Sequence, residues 1–238
     1  MTPKILFIFP HPDDEAFTAG GTLARYGLSG DAEVHLYTMT RGEASRIVQL
    51  LKLSPDELAR RREEEIQRSS EILGVASFRQ GEYADKGMHL LDPRIIERDI
   101  EDYIRSIEPN VIVTFDVQGG SGHSDHIVVH HIVKRVFCEM KESVDYLRRL
   151  AFVSLPEELV NDWPRKVFGV PWDQIDAAVD VSAYNDKERE AILAHESMRQ
   201  DFEDNNFNNW MLWETEYYSF FQESHQPPLG DLLSGLNS

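Results

Sequence analysis

Two short stretches concentrate the residues that could bind a cation and move protons. His11-Pro12-Asp13-Asp14-Glu15 follows directly on the apolar run Ile5–Phe9. Gly119-Gly120-Ser121-Gly122-His123-Ser124-Asp125-His126 lies a hundred residues later. Taken singly, an aspartate pair reads as a turn or helix cap, and a lone histidine as a packing residue. Taken together they read differently. Three consecutive acids repel unless something positive sits among them, and histidines bordering carboxylates make a nitrogen/oxygen ligand set. Two imidazoles and one carboxylate form a common catalytic zinc site that leaves a position open for water. His11, His126 and one aspartate of the Asp13-Asp14 pair fit that set, and spacing alone does not choose between the two aspartates. The other aspartate is then free to act as general base. His123, if protonated, suits stabilisation of an oxyanion, with Asp125 orienting it and raising its pKa. The same donor set also suits Fe2+.

Two competing chemistries are weaker. His126 and His130 stand four apart on a predicted helix, as in zinc proteases, but Ile127-Val128-Val129 between them lacks the glutamate that pattern needs. The Gly-rich segments Gly20-Gly21 and Gly119-Gly120 match no phosphate-binding fingerprint and carry no accompanying lysine.

The rest of the chain supplies elements to hold both stretches. Lys4–Phe9 predicts a first strand buried on both faces, and residues 32–40, 76–81, 110–117, 148–155 and 177–182 predict further strands. Helical patterns alternate with them. Ser54 precedes Pro55 as a helix start, Gly74 stops that helix, and Ile96, Ile100 and Ile104 repeat near a 3.6-residue spacing in another. Such alternation predicts an α/β fold, Rossmann-like, with a mostly parallel sheet and helices on both faces. Ligands in such sheets bind beyond the carboxyl ends of the strands, where both motif loops fall.

Composition narrows the partners. The chain has 238 residues and a formal net charge of −18, with seven lysines against seventeen arginines. Nucleic acid is excluded as a partner, because neutralising phosphates needs a basic surface. No apolar run reaches the roughly 18–20 residues of a membrane span. The N-terminal apolar run leads straight into the His11 motif and reads as a strand rather than a signal peptide, so a cytoplasmic location is the expectation. The length fits one domain over 1–238, with 201–238 an irregular C-terminal extension. Cys138 is the one cysteine, so no internal disulfide or thiolate zinc cluster exists, and it reads as a small buried residue. A homo-oligomer is the base-rate expectation.

With both motifs in view, the sequence resembles the PIG-L/LmbE-like family of zinc-dependent N-acetylglucosaminyl deacetylases. The resemblance rests on His11-Pro12-Asp13-Asp14-Glu15 and on Gly122-His123-Ser124-Asp125-His126, in that order, and extends from residue 3 to about 200. It implies an LmbE-like fold, zinc held by His11, Asp14 and His126, Asp13 as base, and His123 as acid or oxyanion stabiliser. The substrate it implies is a small amino-sugar. Weaker echoes are Thr40-Arg41-Gly42-Glu43 and the helix carrying Arg62 and Glu65. Through them the resemblance implies substrate contacts at Arg62 and Asp85. The segment Ala191-Ile192-Leu193-Ala194-His195-Glu196-Ser197-Met198 also resembles a family helix, but Met198 stands where glutamine is usual, and no role is carried to His195. Glu15 reads as a supporting hydrogen-bond partner. Two rival readings are a deacylase of a non-sugar amide or secondary metabolite, and a non-catalytic metal-binding assembly module.

Overall fold

The structure is a computed structural model describing residues 2–161, 167–200 and 212–236. Its strands are β1 (Lys4–Phe9), β2 (Glu33–Thr40), β3 (Ser77–Tyr83), β4 (Val111–Phe115), β5 (Arg149–Val153), β6 (Ala177–Asp180) and β7 (Thr215–Phe220). Its helices are α1 (Asp14–Ser29), α2 (Ile47–Leu51), α3 (Pro55–Ile72), α4 (Pro93–Ile107), α5 (Gly119–Gly122), α6 (Ser124–Lys141), α7 (Glu157–Val160) and α8 (Asn185–Ala194). All seven strands form one sheet in the order β3-β2-β1-β4-β5-β7-β6. The first five are parallel, and β7 runs antiparallel to both β5 and β6. This is the expected open, mostly parallel α/β sheet.

Strand β1 shows how the sequence builds two cores. Ile5, Phe7 and Phe9 point to one face, where they meet Leu23 and Ala24 of α1, Ile66 of α3 and Ala191 of α8. Leu6 and Ile8 point to the other, against Ile96, Ile100 and Ile104 of α4 and Val129, Ile132 and Val133 of α6. A strand covered on both sides has no solvent face, so its sequence is apolar throughout. Helix α3 starts at the predicted Ser54 cap, where Ser54 Oγ accepts from the Glu57 N–H and the Glu57 carboxylate accepts from the Ser54 N–H, a capping box. Gly74, at φ +74°, ends that segment as expected.

The chain leaves β1 in one direction through β2 to β3 and returns on the other side through β4 and β5. The carboxyl ends of β1 and β4 therefore flank a crevice at the point where strand order reverses. Both motif loops open into it.

Two expectations need correction. Part of the C-terminal extension, read as irregular, supplies β7 to the sheet, while residues 201–211 lie outside the described residues. Glu216, Tyr218 and Phe220 turn inward there and Thr215, Tyr217 and Ser219 do not, a period of two that the aromatic residues at both parities obscure. Cys138 is exposed, on the outer side of α6, because the faces of that helix bearing Val133, Val136 and Phe137 take the core positions.

Candidate active site

Strand β1 ends at Phe9, and the chain turns at Pro10-His11-Pro12 before α1 begins. The His11 backbone N–H donates to Asp14 Oδ2 at 2.8 Å, which folds the Asp14 carboxylate back toward the imidazole. His126 arrives from the first turn of α6, next to β4. Two imidazole nitrogens and the two oxygens of one carboxylate then face one another. His11 Nδ1 is 3.2 Å from His126 Nε2, Asp14 Oδ2 is 3.4 Å from His11 Nδ1, and Asp14 Oδ1 is 3.4 Å from His126 Nε2.

The two ring orientations are set from behind. His126 Nδ1 lies 3.0 Å from the Gly119 carbonyl, to which it donates, leaving the Nε2 lone pair for the triangle. The same ring stacks on Phe115 at 4.1 Å. His11 Nε2 lies 3.2 Å from Asp85 Oδ1 and 3.3 Å from Asp125 Oδ2, which keeps its proton on that nitrogen and leaves Nδ1 for the triangle. Two imidazole lone pairs and a carboxylate cannot face each other at this spacing without a proton or cation between them. Ligands about 2.0–2.1 Å from a tetrahedral zinc lie about 3.3–3.4 Å apart, so the donor set fits a single divalent cation. Ligand atoms of His11, His123 and His126 also gather within 4.8 Å, as do those of His11, Asp85 and Asp125. Both groups share His11, whose two nitrogens divide between the triangle and the carboxylates behind it.

The charges follow from this packing. Burial opposes ionisation of Asp14, but His126 and His11 outweigh it and hold the carboxyl down at about 2. Burial lowers His126 to about 4. Burial also works against charge on His11, yet Asp125, Asp14 and Asp85 outweigh it and raise His11 well above the usual histidine range.

Asp13 is set apart from its neighbour by backbone geometry. It sits at φ 105°, ψ −29°, a conformation that costs a non-glycine residue about 1–3 kcal/mol. Its carboxylate meets Arg62 Nη2 at 2.9 Å. Burial pushes the Asp13 carboxyl up to about 6 although Arg62 pulls the other way. That value suits a base working near neutrality.

Three of the expected site residues make contacts that the sequence did not predict. Arg62, expected to contact substrate, is only 3 % exposed and donates to the Gly42 and Pro12 carbonyls as well as to Asp13. Gly42, at φ +66°, leaves room for it, since a Cβ there would stand 2.2 Å from Arg62 Nη1. Asp85, expected to hold sugar hydroxyls, is turned onto His11 and also accepts from the Ala44 N–H. Asp125 does not pair its carboxylate with the His123 ring. It accepts from the Lys86 N–H at 2.6 Å and contacts His11, while its own backbone N–H donates to His123 Nδ1 at 3.2 Å. That bond assigns the remaining ring proton of neutral His123 to Nε2. Burial and the neighbouring His11 lower the His123 pKa, so the expected upward shift is replaced by a downward one. The His123 and His11 rings stand edge to face at 4.7 Å.

Sequence reasoning gave no role to His195, yet its Nε2 lies 2.7 Å from Glu15 Oε1, with both residues fully buried. Ser69 of α3 donates to the same oxygen at 2.6 Å, and Glu65 takes the N–H and hydroxyl of Ser197. The signal was the buried pairing of α3 with the segment after α8, which no linear spacing displays. His130 donates to the Phe115 carbonyl and packs against Phe152, as a packing residue would.

The profile of the PIG-L family, described as GlcNAc-PI de-N-acetylase, matches residues 6–137, more than half of the chain. The chain belongs to this family. A 1D-myo-inositol 2-acetamido-2-deoxy-alpha-D-glucopyranoside deacetylase from Mycolicibacterium smegmatis is 30% identical over 231 residues, covering 82% of this chain and 79% of that protein. N,N'-diacetylchitobiose deacetylase from Pyrococcus horikoshii shares the fold at a TM-score of 0.65 and 19% identity, over 92% of this chain and 83% of that one. GalB, a 4-carboxy-2-hydroxymuconate hydratase from Pseudomonas putida, shares it at 0.68 and 16%, over 93% and 97%. The PIG-L fold thus carries more than one chemistry, and function has to be argued from the site.

Gly119 leaves no room for a side chain beside His126. It sits at φ +63°, and a Cβ there would lie 2.5 Å from the His126 Cβ. Gly119→Ala is expected to displace His126 and weaken metal binding by about 10- to 100-fold, as loss of a ligand's supporting bond does. Competition against a chromogenic chelator measures this, and an unchanged affinity would show that the Gly119 carbonyl does not orient the ring.

Proposed function

We propose that this chain is a metal-dependent N-deacetylase that removes the acetyl group from an N-acetylglucosamine-type sugar or glycoconjugate. The observation that carries the proposal is the 3.2–3.4 Å triangle of His11, Asp14 and His126 with a separately held carboxylate, Asp13, beside it. Membership of the PIG-L family and the amino-sugar substrates named for its relatives support the choice of substrate. His11, Asp14 and His126 would hold the cation, with Zn2+ the first choice for two imidazoles and one carboxylate. When bound, such a cation supplies a Lewis acid that polarises the acetyl carbonyl and acidifies water.

The chain's own residues do the rest. Asp13 accepts a proton from the attacking water. The neutral His123, its proton on Nε2, donates a hydrogen bond to the oxyanion that forms on the acetyl oxygen. As the C–N bond breaks, the proton held on Asp13 passes to the departing nitrogen, giving a free amine and acetic acid, whose remaining proton is lost to the amine or to solvent to leave acetate. Asp125 and Asp85 hold the His11 ring in its working tautomer. No helix among the described residues is long and apolar enough to cross a membrane.

Acetate release tests this directly. The metal-loaded protein is expected to release acetate from 1D-myo-inositol 2-acetamido-2-deoxy-α-D-glucopyranoside or N,N'-diacetylchitobiose, to lose activity on chelation, and to regain it with Zn2+. Turnover that persists with metal removed below one-tenth per chain would falsify the metal requirement. Stoichiometric metal binding without hydrolysis of any N-acetyl sugar would favour the assembly module instead.

A further inference from the structure

Asp13 must be held in place. Its positive φ is unfavourable for a residue with a side chain, and it precedes α1 without a side-chain cap of its own. Arg62 holds the carboxylate and donates to the Pro12 carbonyl, one end of the peptide that carries the Asp13 N–H. Glu15 takes the other end. Its Oε2 accepts the Asp13 backbone N–H at 2.9 Å.

Glu15 is itself held from two directions. Its Oε1 accepts from Ser69 Oγ of α3 at 2.6 Å and from His195 Nε2 at 2.7 Å. His195 stands just beyond α8, 180 positions further along the chain. A carboxylate and an imidazole at zero exposure carry a desolvation cost of several kcal/mol that two packed apolar residues would avoid. Among the described residues, neither side chain has a hydrogen bond or ion pair with His11, Asp14 or His126.

We propose that Glu15 and His195 are positioning residues for the base, acting through the Asp13 backbone. His195 and Ser69 orient the Glu15 carboxylate, and Glu15 holds the Asp13 peptide in the conformation that separates its carboxylate from that of Asp14. The effect is on geometry at the reacting centre, where a displacement of about 1 Å costs about 100-fold in rate. This rests on the reading of Asp13 as base.

The test compares His195→Leu, His195→Gln and Asp13→Asn in the full-length, zinc-loaded protein, with kcat and KM for acetate release from N,N'-diacetylchitobiose and the inositol conjugate. Rates are normalised to bound metal. His195→Leu is expected to lower kcat about 10- to 100-fold with KM within about twofold and metal content unchanged. His195→Gln, whose amide can still donate to Glu15 Oε1, is expected to restore most of kcat. A merely structural brace would lower the melting temperature and leave kcat per metal-loaded chain alone. Full kcat in His195→Leu, a rise in KM alone, or a His195→Gln variant as slow as His195→Leu overturns the proposal. Should His195→Leu not fold, Ser69→Ala removes the other donor to Oε1. There a fall in kcat of about 3- to 10-fold is expected, and an unchanged kcat overturns the proposal. The Asp13→Asn arm separates the two readings. If it is inactive while His195→Leu is fully active, only the positioning role fails. If it retains full activity, the assignment of the base fails.

Discussion

Asp13→Asn is expected to lower kcat for acetate release about 100- to 10,000-fold, the range general-base catalysis contributes, with metal content unchanged. The substitution is nearly isosteric. Its amide oxygen can still accept from Arg62, and its backbone N–H can still donate to Glu15, so the loop conformation is retained. Asp14 keeps its contacts with His11 and His126, none of which involves Asp13. What disappears is a proton acceptor. The wild-type pH profile carries the same assignment. Asp13 must be ionised to accept a proton, so activity falls as the pH drops through its pKa. Burial places that pKa at about 6, and a cation beside it pulls it lower, so the acid limb of kcat/KM is expected at or below about 6. In Asp13→Asn that limb should disappear from the residual rate. A variant that keeps the wild-type rate per bound metal would remove Asp13 from the reaction.

The two motif loops were legible because each compresses its chemistry into a few adjacent residues at a strand end. His11, Asp14, His123 and His126 all reach the crevice between β1 and β4, where the alternation of strands and helices placed it. The supporting bonds were less legible, because they depend on direction rather than on spacing. Asp125 lies two residues from His123, yet on the first turn of α6 its carboxylate swings to His11 and only its backbone N–H meets His123. Arg62 stood in a heavily charged helix, and the resemblance gave it only a substrate contact. Its burial follows from facing Gly42 and Pro12, which are remote in sequence. His195 stood in a segment that resembled a family helix, but its partner, 180 residues away, could not be read from the sequence. Strand β7 was hidden by composition: a stretch aromatic on both faces does not advertise which face is buried.

The strand that the sequence left unread, β7, carries the largest expected effect on stability. Helix α1 departs from helical geometry at Ala19, and the N–H groups of Gly21 and Thr22 then point at Glu216 of β7, at 2.9 and 3.0 Å. Tyr218 adds a third donor to the same carboxylate. Glu188 of α8 is buried beside this group with 5 % of its surface exposed, and its Oε2 has no hydrogen-bond partner among the described residues. Gly20 makes room for it, since a Cβ there would stand 2.9 Å from Glu188 Cγ. Burial, and then the charge on Glu216, push the Glu188 carboxyl up from 4.5 to about 9. The sign of the consequence follows from proton counts. Between those two values the unfolded chain has released the Glu188 proton and the folded chain keeps it. Folding therefore takes up a proton, and stability falls by up to about 1.4 kcal/mol per pH unit as the pH rises through that window. A glutamine at this position has no proton to bind. Glu188→Gln is accordingly expected to match the wild type near pH 5 and to exceed it by up to about 4 kcal/mol near pH 8, measured by urea unfolding at both pH values. An advantage of equal size at both pH values would mean that Glu188 is not the group retaining the proton. An advantage that grows with pH would locate a buried proton on α8, the helix that ends one residue before His195.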